Sequence, residues 1–192
     1  MKSLLKEHFL KNIPLKDEQW NFISEQFHSK KFKKKEYIIR KDEAVSEIYF
    51  INSGLVKLSV DDQNGNEHII SFACEDWWET DFEAFYTQKR ATQNLKCIEE
   101  TEVLALSYQD YLKILKTIPE MTEFFLMKAV NGHIANQKRI LSLMTFSAQK
   151  KYEEFVKSYP QIIQRIPKTT LALYLGVSRE TLSRFFSESQ KL

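Results

Sequence analysis

The chain has 192 residues, 43% hydrophobic, 13% aromatic and 28% charged, with a net charge of +2. That composition supplies enough apolar material for one large domain or two small ones, and it excludes a disordered chain and a uniform polycation. The charge is unevenly spread, because from Gln149 onward eight basic residues face four acids, which makes this end +4 and the remainder −2. Residues 1–20 show no long apolar core and no small-residue cleavage site, so no signal peptide is expected. No run of about 18 apolar residues occurs, so no membrane span is expected and the cytoplasm is the expected location.

Residues 1–29 read as helix. Phe9 and Ile13 recur at helical spacing, Pro14 interrupts, and Trp20, Ile23 and Phe27 resume the stripe. From about Phe32 to Leu106 the period changes to two. Ile48–Ile51 is a short apolar run closed by Asn52-Ser53-Gly54, and Val56, Leu58 and Val60 then alternate with polar neighbours. Asn64-Gly65 inside a polar cluster is a strong hairpin signal, with His68, Ile70 and Phe72 alternating after it. Leu95–Ile98 and Val103–Leu106 read as further strands. Many short strands separated by turns predict a barrel or jelly roll.

Tyr108–Ile118 reads as a short helix closed by Pro119. Glu120–Met144 is then long and free of proline. Met127, Val130, Ile134, Gln137, Leu141 and Met144 step by three and four, a heptad seam with one polar position. Such a seam needs a partner, either the chain's own sheet, a second copy, or both. A two-fold dimer is the expectation. Ser147–Tyr159 is another amphipathic helix, with a hinge expected near Met144–Ser147.

Lys168–Phe186, KTTLALYLGVSRETLSRFF, carries the pattern of a helix-turn-helix. Ala172 is small where two helices nearly touch, and Gly176 falls at the turn that needs positive φ. Leu171, Leu175, Val177, Leu182 and Phe185 fall on the inward faces. Ser178 precedes the second helix, where its hydroxyl can cap free amides. Arg179, Glu180, Ser183 and Arg184 are left pointing outward.

A strand-rich domain, then a long helix, then a helix-turn-helix: this order resembles the Crp/Fnr family of bacterial transcription factors. YFINSGLVKL (Tyr49–Leu58), the Asn64-Gly65 hairpin, EDWW (Glu75–Trp78) and YLGVSRETLSR (Tyr174–Arg184) carry the resemblance. It implies an α+β fold: a cyclic-nucleotide-binding-type β-roll over residues 1–118, a dimerisation helix over 119–145 and a helix-turn-helix over 146–192. Members commonly continue into a β-hairpin wing, and the segment after Phe186 is too short for one, so no wing is expected. Arg179, Glu180, Ser183 and Arg184 match the base-contacting positions of the family. Arginine can donate two parallel hydrogen bonds to guanine, and glutamate can accept from cytosine. Lys168, Thr169, Thr170 and Ser178 are better placed for phosphates, which position a protein without reading sequence. The competing reading is an exposed Glu180–Arg184 ion pair.

In family members that bind cyclic nucleotides, a Gly-Glu pair and an Arg-Ser pair build the pocket. Here the pairs fall on Glu79-Thr80 and Arg90-Ala91, so the candidate effector pocket is Glu79, Thr80, Arg90, Ala91 and Thr92. Only the arginine is kept. An extra carboxylate at Glu79 or Asp81 would repel a phosphate, and the helix positions facing a purine fall on Ile134 and Ala135, whose side chains cannot hydrogen-bond. Cyclic AMP is therefore not expected as effector, and no other effector is identified. Trp77, Trp78, Phe82, Phe85 and Tyr86 are expected to fill the pocket or the core.

Cys74 and Cys97 are too few for a four-cysteine cluster and read as small buried thiols. The histidines share no ligand spacing, so no metal and no cofactor are expected. No nucleophile motif or phosphate loop occurs, so no enzyme is expected. Lys30–Lys35 reads as a solvated face. The expected partners are double-stranded DNA and a second copy of the chain. The alternative is a ligand-sensing or protein-interaction roll whose helix-turn-helix no longer reads DNA.

Overall fold

Strand pairing begins earlier than the sequence pattern suggests. The computed structural model describes residues 2–189, with the side chains of the last helix described to Phe186. The expectation about the wing falls on Ser187–Leu192, which lies outside the described side chains, and Gln190–Leu192 lies outside the described residues altogether. Helix α1 spans Ser3–Leu10 and α2 spans Asp17–Glu25. Phe27, expected at the end of the helical stripe, instead opens strand β1, Phe27–Phe32. Its ladder to β8 (Thr101–Ser107) starts at Phe27 opposite Leu106, and Phe27 is buried. The helical spacing of Trp20, Ile23 and Phe27 runs past Gln26, so periodicity alone cannot mark where helix gives way to strand.

The remaining strands are β2 (Tyr37–Ile39), β3 (Glu47–Ser53), β4 (Leu55–Asp61), β5 (Glu67–Cys74), β6 (Trp78–Glu79) and β7 (Asn94–Cys97). They form two four-stranded sheets, ordered β1-β8-β3-β6 and β2-β7-β4-β5. Phe50, Ile51, Leu55, Val56, Leu95 and Leu104 are fully buried. The unbroken run Ile48–Ile51 is buried at every position because helices cover the outer face of β3. Gly54 joins β3 to β4 at φ 105°, and a Cβ there would lie 2.6 Å from the Glu100 carbonyl oxygen. Only glycine fits that approach.

The β4–β5 hairpin turns where Asn64-Gly65 predicts. Gly65 has φ 79°, and the Asp62 carboxylate accepts from the Asn64 and Asn66 amides at 2.8 and 2.9 Å. Helix α3, Phe82–Thr87, was not evident in the sequence. Helix α4 (Tyr108–Thr117) is capped by Ser107, which accepts from the Asp110 amide at 3.1 Å. Both cysteines are buried thiols outside any disulfide.

Helix α5 runs unbroken over Glu120–Thr145. Met121, Phe124 and Phe125 are its buried residues, and Phe124 meets Phe9 of α1 edge-on at 4.8 Å. Beyond them the expected seam residues Met127, Val130, Ile134, Gln137, Leu141 and Met144 are exposed in the single chain, Leu141 at 59% and Met144 at 76%. Helices α6 (Ala148–Ser158), α7 (Lys168–Leu175) and α8 (Arg179–Ser189) complete the chain. No described helix is long and apolar enough to cross a membrane.

The chain divides into two compact units. One comprises the chain to Val60 and from Ser71 to Ala129. The other takes the hairpin tip Asp61–Ile70 together with the chain from Val130 onward.

Candidate nucleic-acid interface and effector pocket

Helix α7 ends because Gly176 turns left-handed, at φ 64° and ψ 44°. The Val177 amide then reaches back to the Ala172 carbonyl at 3.0 Å, closing the helix end. Ser178 follows, and its hydroxyl oxygen accepts from the Thr181 amide at 3.1 Å, capping α8 as the sequence predicts. Leu171, Ala172, Leu175 and Leu182 are buried, while Val177 and Phe185 are half-buried. Helix α6 supports both helices. Tyr152 lies 5.7 Å from Phe185 and 5.4 Å from Phe186, and Phe155 meets Tyr174 edge-on at 5.3 Å.

Packing one face of α8 leaves Arg179, Glu180, Ser183 and Arg184 exposed together. Arg184 donates to the Thr181 hydroxyl at 3.4 Å. The Glu180 carboxyl is held below the usual range by its own backbone amide and then by the Ser178 hydroxyl, so it sits over the start of α8. Thr169 is exposed and Thr170 half-buried at the start of α7. Lys168 lies over the Phe186 ring, 4.6 Å from its centroid.

The expected pocket residues are divided among different partners. Glu79 is buried on β6. Its carboxylate accepts from the Ser71 hydroxyl at 2.7 Å and the Thr80 amide at 3.2 Å. Burial outweighs those two bonds and pushes its carboxyl up to about 7. The Thr80 hydroxyl donates to the Glu47 carbonyl at 2.9 Å. Arg90 is exposed and donates to the Asp42 carbonyl at 2.6 Å, and the Ala91 amide donates to the Glu43 carbonyl at 2.8 Å.

Thr92 has a partner outside the expected set. Asp81, fully buried, accepts from the Thr92 amide at 2.8 Å, the Thr92 hydroxyl at 3.2 Å and the Gln93 amide at 3.1 Å. Its other oxygen accepts from the Ala84 amide at 3.1 Å, at the start of α3. Asp81 thus occupies three amides and a hydroxyl with its own carboxylate. In the sequence Asp81 stands only as an extra carboxylate, because the short helix it caps is not evident there.

The aromatic segment splits. Phe85 is in the core, and Trp78 packs 5.3 Å from Phe50 while its indole N–H donates to His8 Nε2 at 3.1 Å. Phe82 and Tyr86 are exposed, contrary to the expectation that they fill the interior. They project from the outer side of a six-residue helix whose inner side is satisfied by Ala84 and Phe85. In the basic run, Lys30 pairs with Glu47 at 2.6 Å and Lys31 approaches Glu102 at 3.8 Å, while Lys33, Lys34 and Lys35 are exposed.

The cyclic nucleotide-binding domain family matches residues 29–118. No curated protein matches the sequence. Several solved structures share the fold. FixK2 from Bradyrhizobium japonicum is 16% identical, with 86% of this chain and 85% of that one covered and a TM-score of 0.77. The c-di-GMP responsive global regulator CLP of Xanthomonas campestris is 12% identical, with 92% of each chain covered and a TM-score of 0.68. The catabolite activator protein of Thermus thermophilus is 19% identical, with 96% of this chain and 86% of that one covered and a TM-score of 0.59.

Proposed function

We propose that this chain, which carries a cyclic nucleotide-binding domain and has the fold of Crp/Fnr-family transcription regulators, is a sequence-specific DNA-binding regulator and not an enzyme. The observation that carries the reading is the exposed quartet Arg179, Glu180, Ser183 and Arg184 on a second helix whose opposite face is packed and whose start is capped. That is the presentation a major-groove reader needs. Arg179, Glu180, Ser183 and Arg184 contact base edges, and Lys168, Thr169, Thr170 and Ser178 face phosphates.

Two copies associate through residues 119–145 and place two recognition helices on a palindromic operator. The apolar residues left exposed along α5 support this pairing. Cyclic AMP does not control the protein. A cyclic phosphate would meet the buried Asp81 carboxylate, which already takes the Thr92, Gln93 and Ala84 amides. Such a reader meets its DNA in the cytoplasm.

Selection of the purified protein on a random duplex library, followed by sequencing, tests the reading. The expected result is a palindrome with half-sites about 10 base pairs apart. Arg179→Ala and Arg184→Ala should each cost about 1–3 kcal/mol of discrimination at one base position. Specific binding that survives both changes would refute the recognition-helix assignment.

A further inference from the structure

Arg139 lies on the second half of α5, off the expected seam of Met127, Val130, Ile134, Gln137, Leu141 and Met144, and the proposed function leaves it without a role. Its guanidinium is half-buried and makes three contacts within the second compact unit. Nη2 donates to the Ile69 carbonyl at 2.9 Å and to the Tyr174 carbonyl at 3.1 Å. The guanidinium carbon stands 3.5 Å from the centroid of the Tyr174 ring.

Tyr174 is in the last turn of α7, where a cation is favoured. Ile69 is on β5, an outer strand of its sheet. Arginine suits the position because a flat cation can stack on an aromatic face while the two hydrogens of one terminal nitrogen reach two carbonyls. The Tyr174 ring continues the contact to Phe155 of α6.

We propose that Arg139 is a positioning residue that fastens the first helix of the helix-turn-helix to the tip of the β4–β5 hairpin, so that tip and recognition helix move as one body. The proposal rests on the DNA-reading function for its consequence, and on the three contacts alone for the fastening. What shifts the hairpin tip shifts the helix that reads bases.

The test uses the full chain. Hydrogen exchange without DNA is compared for wild type, Arg139→Ala and Arg139→Lys, and affinities are measured for the selected operator and for an unrelated duplex. Arg139→Ala should raise exchange in residues 61–70 and 168–176 together. It should also weaken operator binding by roughly tenfold, the size of a typical coupling between sites, while leaving non-specific binding unchanged. Arg139→Lys keeps the charge and loses the flat stack on the Tyr174 ring, and should fall between the two. Wild-type exchange in either segment would overturn the fastening. Proportional loss on both duplexes would overturn the positioning role, since general destabilisation gives that pattern. Failure of the wild type to bind any duplex would sink the DNA reading instead, and the exchange comparison would still decide the fastening.

Discussion

Glu79 sits on β6 with one serine hydroxyl and one amide as its polar company, and burial pushes its carboxyl up to about 7. The folded chain therefore holds a proton there that the unfolded chain has released, and stability falls as pH rises from the ordinary glutamate range through about 7. Glu79→Gln should remove that loss. Its melting temperature should exceed wild type at pH 8 by a few degrees, the scale of about 1 kcal/mol in a chain this size, with the gap closing toward pH 5. A constant gap across that range would show that the carboxyl does not titrate as stated. His8 works in the opposite sense. Its Nδ1 lies 2.7 Å from Asp76, and its Nε2 accepts the Trp78 indole N–H, which fixes a neutral tautomer. Burial first, then the Lys128 charge, lowers its pKa below the ordinary 6.5, so its contribution is complete above that pH and is lost as pH falls. In the Glu79→Gln background, an acid-side decline that His8→Asn flattens is the expected mark of this residue.

Helices α7 and α8 and the turn between them were legible because their packed positions are specified by something local: a small residue at the crossing, glycine at positive φ, a cap, and apolar residues at helical spacing. Gly176 shows how tightly that local code binds. An alanine at φ 64° costs about 1 kcal/mol or more, although the nearest atom to an added Cβ, Lys151 Nζ, leaves room at 3.8 Å. Gly176→Ala should therefore lower the melting temperature by a few degrees through backbone strain alone, and a larger side chain should do little more. A thermal melt of alanine and serine variants separates strain from crowding. The hairpin at Asn64-Gly65, helix α4 and the length of α5 were read from the same kind of signal. Strand β1 and helix α3 were not. Phe27 continues a helical stripe across a boundary set by its ladder to Leu106, and six residues rich in aromatics carry no period. The expected pocket was the least legible part. Thr80 and Arg90 answer to partners 33 and 48 residues away, Glu79 and Thr92 to groups across a turn of chain, and Arg139 is a single residue whose contacts only the fold supplies.

At the scale of the molecule, the exposed apolar positions of α5 set the expected assembly. Leu141→Glu combined with Met144→Glu should convert a dimer to a monomer in sedimentation equilibrium while helix content stays constant, because neither side chain is buried within the single chain. An unchanged mass would place the interface elsewhere. The proposed pairing also has a consequence in concentration. Because two chains must meet before an operator is held, occupancy at low concentration rises with the square of the amount of chain, so a modest change in synthesis or degradation becomes a steep change in the operator held.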